Sequence, residues 1–230
     1  MKKRNLFVSL GLVATLGVGA TLAYLTANTE ELTNKFTFTS NGISITLDEA
    51  IVDNNKVIDP DEHRVSAGKN KGNDYFNLEP NQILPKDPTV TVDADSVDCL
   101  VVVSVENANG DKLTIKDLNN DIWQELTEVQ SKYGATPAVN TKYYIYVGSK
   151  ATKNPETDDT YKVIPSSNSD TTLEDIFTQV QVGNLTAKDI EGLSERKLSD
   201  IVIKAAAVQA NNATDTQSIT EALNLLKGKN

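Results

Sequence analysis

Three kinds of residue group in this chain are of types that do chemistry. Cys99 and His63 are each the only residue of their kind. Together they could form a thiolate and imidazolium nucleophile, which requires an exposed cysteine of lowered pKa. Cys99 instead falls inside an apolar alternation, where a small core residue is expected. One histidine excludes any two-histidine site, including H-E-x-x-H zinc chemistry. Carboxylates cluster at Asp59, Asp61 and Glu62, at Asp93, Asp95 and Asp98, and at Glu156, Asp158 and Asp159. A spacing of two in a turn can converge oxygens on Ca²⁺, yet Asp93 to Asp98 lacks the central Gly and terminal Glu of an EF-hand loop. These clusters are expected to be solvated loop charge, with no metal and no cofactor. Tyr143, Tyr144 and Tyr146 could stack on a sugar, but such a run also fits a strand with aromatic residues on both faces. No Gly-rich phosphate loop opens a helix, and neither G-x-S-x-G nor C-x-x-C occurs, so an enzyme is not expected.

Composition sets the frame for these residues. The chain has 230 residues, 39% of them hydrophobic, which suffices for a real core. Formal charge is −10, and without Lys2, Lys3 and Arg4 it becomes 19 basic against 32 acidic residues, or −13. Phosphates would be repelled, which argues against nucleic acid as a partner. With one cysteine, no disulfide can form within the chain.

The N-terminus reads as an export signal. Lys2, Lys3 and Arg4 precede an uncharged run from Leu6 to Ala23, rich in Leu, Val, Ala and Gly. The run approaches the length of a membrane-spanning helix. Small residues dominate it, Thr21 and Ala23 suit positions −3 and −1, and no basic stop-transfer cluster succeeds it. Cleavage after Ala23 is therefore expected, with an uncleaved anchor or a cut near Ala27 as the alternatives.

Strand signals dominate the rest of the chain. Phe36 and Phe38 share one face of an extended chain, as do Ile43, Ile45 and Leu47 after the Asn41-Gly42 turn. A hairpin is expected around Asp53 to Asn55, then a surface loop from Asp59 to Asp74, then an extended stretch holding Pro80, Pro85 and Pro88. Thr89 to Val92 alternates as a strand. Asp98 to Glu106 is apolar on both faces and reads as a central strand. Leu118, Ile122, Leu126 and Val129 recur at helical spacing, with Asp117 available as a cap. Strands are expected at Tyr143 to Val147, Tyr161 to Ile164, Thr178 to Val182 and Ile201 to Ala210. Leu173 to Phe177 suggests one helical turn, and Thr186 to Leu198 a short helix. Ser218 to Glu221 has capping-box spacing and opens a helix carrying Ile219, Ala222, Leu223 and Leu226 on one face. The expected architecture is mostly β, a jelly-roll-like β-sandwich with short helices in the connections behind a signal-peptide helix. Its parts are residues 1–23 as signal peptide, 24–38 as an N-terminal segment and 39–230 as one domain.

Several of these stretches, taken in order, resemble the TasA and camelysin (CalY) proteins of Gram-positive bacteria. The leader ends in Ala23, Tyr24, Leu25 and Thr26; Asn34 to Thr39 and Ile43 to Leu47 come next, as in that family. Asn77-Leu-Glu-Pro-Asn81 resembles the family's N-L-x-P-G element, with Asn81, which tolerates left-handed backbone angles, in place of glycine. Val101 to Asn107 is similar to the strand after it, and Ile201 to Ala210 to the family's closing strand. The insert from Asp111 to Asn140 and the loop from Gly148 to Thr160 match no motif.

The resemblance implies a secreted, jelly-roll protein of the biofilm matrix or cell surface that forms fibres. A SipW-like signal peptidase would remove its leader, and each subunit would lend an N-terminal strand to the next. On that reading residues 24–38 are the donor, with Tyr24, Leu25, Phe36 and Phe38 as its polymerisation residues. Partners would be further copies of the chain, the peptidase during export and other matrix proteins. A monomeric secreted adhesin using the 111–160 region is the alternative, and a camelysin-type protease a lesser one, since the chain carries one histidine and no zinc motif.

Overall fold

Two nine-residue strands, Cys99–Asn107 and Ile201–Gln209, form the axis of the fold. They pair antiparallel along their whole length, from Ile201 opposite Asn107 to Gln209 opposite Cys99. Runs of Val, Ile and Ala suit this position because both faces of the pair are covered.

The computed structural model describes residues 26–28, 42–58, 64–66, 72–148, 152–153, 160–210 and 215–227. In chain order the strands are β1 (Thr26–Asn28), β2 (Ile45–Ala50), β3 (Val52–Asp53), β4 (Lys56–Val57), β5 (Arg64–Ser66), β6 (Ile83–Pro85), β7 (Thr89–Val92) and β8 (Cys99–Asn107). They continue with β9 (Leu113–Lys116), β10 (Trp123–Glu125), β11 (Thr141–Tyr146), β12 (Thr152–Lys153), β13 (Thr160–Tyr161), β14 (Thr171–Thr172), β15 (Gln179–Val182) and β16 (Ile201–Gln209). The helices are α1 (Val129–Tyr133), α2 (Ala187–Glu191) and α3 (Asp215–Leu226). The protein is thus mostly β, with several antiparallel sheets and three short helices among the described residues.

The central sheet has the order β1-β16-β8-β11-β10, beside a four-stranded sheet β14-β7-β2-β5 and a three-stranded sheet β6-β15-β9. Alternation along β8 divides its side chains between two cores. Cys99, Val101, Val103 and Val105 meet Ile45, Leu47, Val90, Val180 and Phe177 on the side of the smaller sheets. Leu100 and Val102 face the opposite way, toward Ile219, Ala222, Leu223 and Leu226 of α3. Tyr144 and Tyr146 of β11 join the first core, Tyr143 and Ile145 the second. These tyrosines are buried in the fold and are not available as a stacking surface.

Most of the expected strands are present, and four local expectations are corrected. Residues 117–128 do not form a helix: Asp117 has a φ of 52°, and β10 pairs with β11 through Trp123 opposite Tyr146. The helical spacing is satisfied by α1 only, five residues ending at Gly134, whose φ is 64°. Leu173 to Phe177 contains no helical turn; Leu173, Ile176 and Phe177 are instead buried from irregular backbone beside β7. Arg64–Ser66, within the expected surface loop, pairs with β2. Ser218 does not open the last helix, which begins at Asp215; its hydroxyl donates to the Gln209 carbonyl and joins α3 to the end of β16.

Two backbone details stem directly from residue type. The hairpin β3-β4 turns on Asn54 and Asn55, with φ of 48° and 62°, the left-handed values a two-residue turn needs. Asn81 likewise has a φ of 63°.

Candidate functional site

The outer flank of β16, opposite β8, is the feature that bears most on function. On one side β16 is paired with β8 at all nine positions. On the other, β1 pairs antiparallel over three: Thr26 with Val208, Ala27 with Ala207 and Asn28 with Ala206. Toward its start, Ile201 to Lys204 lie opposite no strand on that flank among the described residues. The run Ala205, Ala206 and Ala207 is fully buried, and small side chains there let the cores close on both faces of the strand. Ala205 and Ala207 point to the smaller sheets, Ala206 and Val208 to α3. The helix lies across β16 and β8 and reaches β1.

The location of β1 is informative because it belongs to the 24–38 segment. Of the residues singled out from the sequence, Ala23, Tyr24, Leu25, Phe36 and Phe38 lie outside the described residues, as does His63. Ile43, Ile45 and Leu47, after that segment, are 2% exposed or less and belong to the core of the chain.

The residues that could have formed other sites are separated. Cys99 is 0% exposed, and burial pushes its thiol up to about 12, with Asp98 adding to the effect. It cannot act as a nucleophile from that position. Asp93 accepts from the Ser44 and Thr46 hydroxyls, whereas Asp98 accepts from the Ser166 backbone N–H, so this cluster does not converge. The clusters at 59–62 and 156–159 lie outside the described residues. An open cleft of about 470 Å³ is lined by Asp117, Leu118, Asn119, Glu174, Asp175 and Thr178. Its Glu174 is already engaged, accepting from the Tyr146 hydroxyl at 2.6 Å. Among the described residues, no three potential ligand side chains come together in a metal-binding group.

A polar network at the edge of the four-stranded sheet was not visible in the sequence. Arg64 of β5 donates from Nε to Asp48 at 2.5 Å and from Nη1 to Asp87 at 3.0 Å. Its Nη2 reaches the Asp87 carbonyl and the Thr89 hydroxyl, and Thr89 in turn donates to Asp175. Burial raises the Asp48 carboxyl above its usual value, against the opposing hydrogen bond from Arg64. Arg64 stands in a stretch of polar loop composition, so no local pattern marks it as an anchor.

Comparison of the chain with protein-family models, curated proteins and solved structures finds no match.

Proposed function

We propose that this chain is a secreted structural protein that assembles head to tail into extracellular or cell-surface fibres of a biofilm matrix. Each subunit lends its N-terminal segment, residues 24–38, as a strand to the sandwich of the next, which we read as jelly-roll-like. The observation that carries this reading is the pairing of Thr26–Asn28 with the outer flank of β16. A strand edge of this kind can be extended by backbone pairing with an added chain, and among the described residues β1 occupies it at three positions.

A segment filling its own subunit's edge and the same segment filling a neighbour's make the same local pairs. Exchange therefore costs little in contacts, and the head-to-tail contact it creates is heterologous and need not close into a ring. The resemblance of the leader, of Asn77 to Asn81 and of Ile201 to Ala210 to TasA and camelysin proteins supports the same conclusion. On this reading a SipW-like peptidase cuts after Ala23 and releases the segment at export. On the same reading its partners are further copies of the chain and other matrix proteins, and the acidic balance disfavours nucleic acid.

Electron microscopy of the purified mature chain tests this directly. Filaments are expected from the full mature chain and none from a variant lacking Tyr24 to Lys35. Filaments from that deletion would sink the donor segment, and none from either would sink the assembly.

A further inference from the structure

Glu49 of β2 is 1% exposed, and its carboxylate engages two other side chains at once. Oε2 lies 2.5 Å from Lys86 Nζ, and the Lys86 side chain is itself only 10% exposed. Oε1 accepts from Asn73 Nδ2 at 3.0 Å and from the Asn73 backbone N–H at 3.1 Å. The Asn73 amide is held at its other end too, since Oδ1 accepts from the Val52 backbone N–H at 2.8 Å. An amine and a half-buried carboxamide thus meet on one buried carboxylate, with a backbone donor on the carboxamide oxygen. A buried acid needs a cation to offset its charge. It does not need a carboxamide fixed in this orientation on the same carboxylate.

We propose that Lys86 and Asn73 condense to an intramolecular isopeptide bond, with Glu49 as the proton shuttle. Lys86 passes a proton to Glu49 across their hydrogen bond, which frees the Nζ lone pair to attack Asn73 Cγ. Negative charge gathers on Oδ1, where the Val52 N–H already points, as an oxyanion donor must. Glu49 then returns a proton to Nδ2, on which it is also hydrogen bonded. The Cγ–Nδ2 bond breaks, and the departing ammonia takes up, by way of Glu49, one of the two protons still on Nζ; the other stays as the amide N–H. An ammonium group and a primary amide become a secondary amide and an ammonium ion, with no oxidant, reductant or metal required. The bond ties the segment ahead of β6 to the connection behind it, both against β2. In a chain with one cysteine it supplies a covalent staple that no disulfide can, and it does not depend on the assembly reading.

Intact-mass spectrometry of the purified chain, with its N-terminus determined, reads the bond directly. Loss of ammonia leaves the wild-type chain about 17 Da lighter than its sequence mass. Lys86→Arg, which keeps the ion pair with Glu49 but cannot form the amide, is expected at full mass. Chymotryptic cleavage after Phe76, between the two residues, should leave the pieces holding Asn73 and Lys86 joined. A wild-type chain at full mass overturns the proposal. So does a deficit that persists in Lys86→Arg, or two pieces that separate after cleavage; these digest and wild-type readings stand even if the variant folds poorly.

Discussion

Trp123 meets Tyr146 edge to face, with ring centroids 5.2 Å apart and planes at 63°. Both rings are anchored on one residue: Trp123 Nε1–H donates to the Glu174 carbonyl at 2.8 Å, and the Tyr146 hydroxyl donates to the Glu174 carboxylate at 2.6 Å. Burial raises the Tyr146 hydroxyl above its ordinary range, and the hydrogen bond to Glu174 adds to this. The pair joins an edge strand to the loop that leads into β15, so it ties the central sheet to a smaller one.

Trp123→Ala should therefore cost about 3–5 kcal/mol of folding stability, as deletion of a buried aromatic side chain does. Tyr146→Phe keeps the ring contact and removes only the charge-assisted hydrogen bond, at about 1.5–3 kcal/mol. Urea unfolding monitored by circular dichroism measures both. A Tyr146→Phe loss as large as that of Trp123→Ala would show that the Glu174 bond, rather than ring packing, dominates this joint.

The edge pairing can be trapped by chemistry. Thr26 and Val208 are Cα partners, so Thr26→Cys with Val208→Cys places two thiols side by side across antiparallel strands. Cys99 lies on the opposite face of the sheet from Val208 and does not compete. Oxidised monomer should carry the link within one chain, and oxidised fibre should carry it between chains, giving a ladder on a non-reducing gel. Fibres whose links all remain within one chain would show that the segment is never exchanged.

Helix α2 offers a test by pH. Thr186 caps it, accepting from the Asp189 backbone N–H, while the Asp189 carboxylate accepts from both the hydroxyl and the backbone N–H of Thr186. Those bonds, the side-chain one first, hold the Asp189 carboxyl below its usual 3.8. A depressed value means that its contribution to stability is present above pH 3.8 and is lost as pH falls through the folded-state value. In Thr186→Ala the Asp189 value should move back up toward 3.8, read by NMR titration of its side-chain carbon. The stability gap between the two proteins should narrow on acidification below that point; a gap that widens would contradict the capping account.

Strong periodicity carried the central elements through to the fold. Val97 to Val105 and Ile201 to Ala210 are apolar on both faces because both faces are covered, and that is written in the residues themselves. The apolar stripe Ile219, Ala222, Leu223 and Leu226 marked α3 in the same way, since each of its members is buried. Asn81 in a left-handed conformation was legible because few residues tolerate it.

Where partners far apart in sequence decide, the local pattern misleads or falls silent. Leu118, Ile122, Leu126 and Val129 are spaced for a helix, yet Trp123 is drawn into a ladder with Tyr146 and its indole N–H to Glu174, fifty-one positions on. Arg64 lay in a loop by composition and became a strand residue through Asp48, Asp87 and Thr89. Glu49 shares the inward face of β2 with Ile45 and Leu47, a place for an apolar side chain by alternation alone. Only the fold brings Lys86 and Asn73 to it and makes a buried carboxylate tolerable. The sequence by itself determined the two long strands, the apolar stripe of α3 and the absence of a two-histidine site. Tertiary structure alone decided which segment lies on the edge of β16, because backbone pairing between strands is blind to the side chains by which a sequence is read.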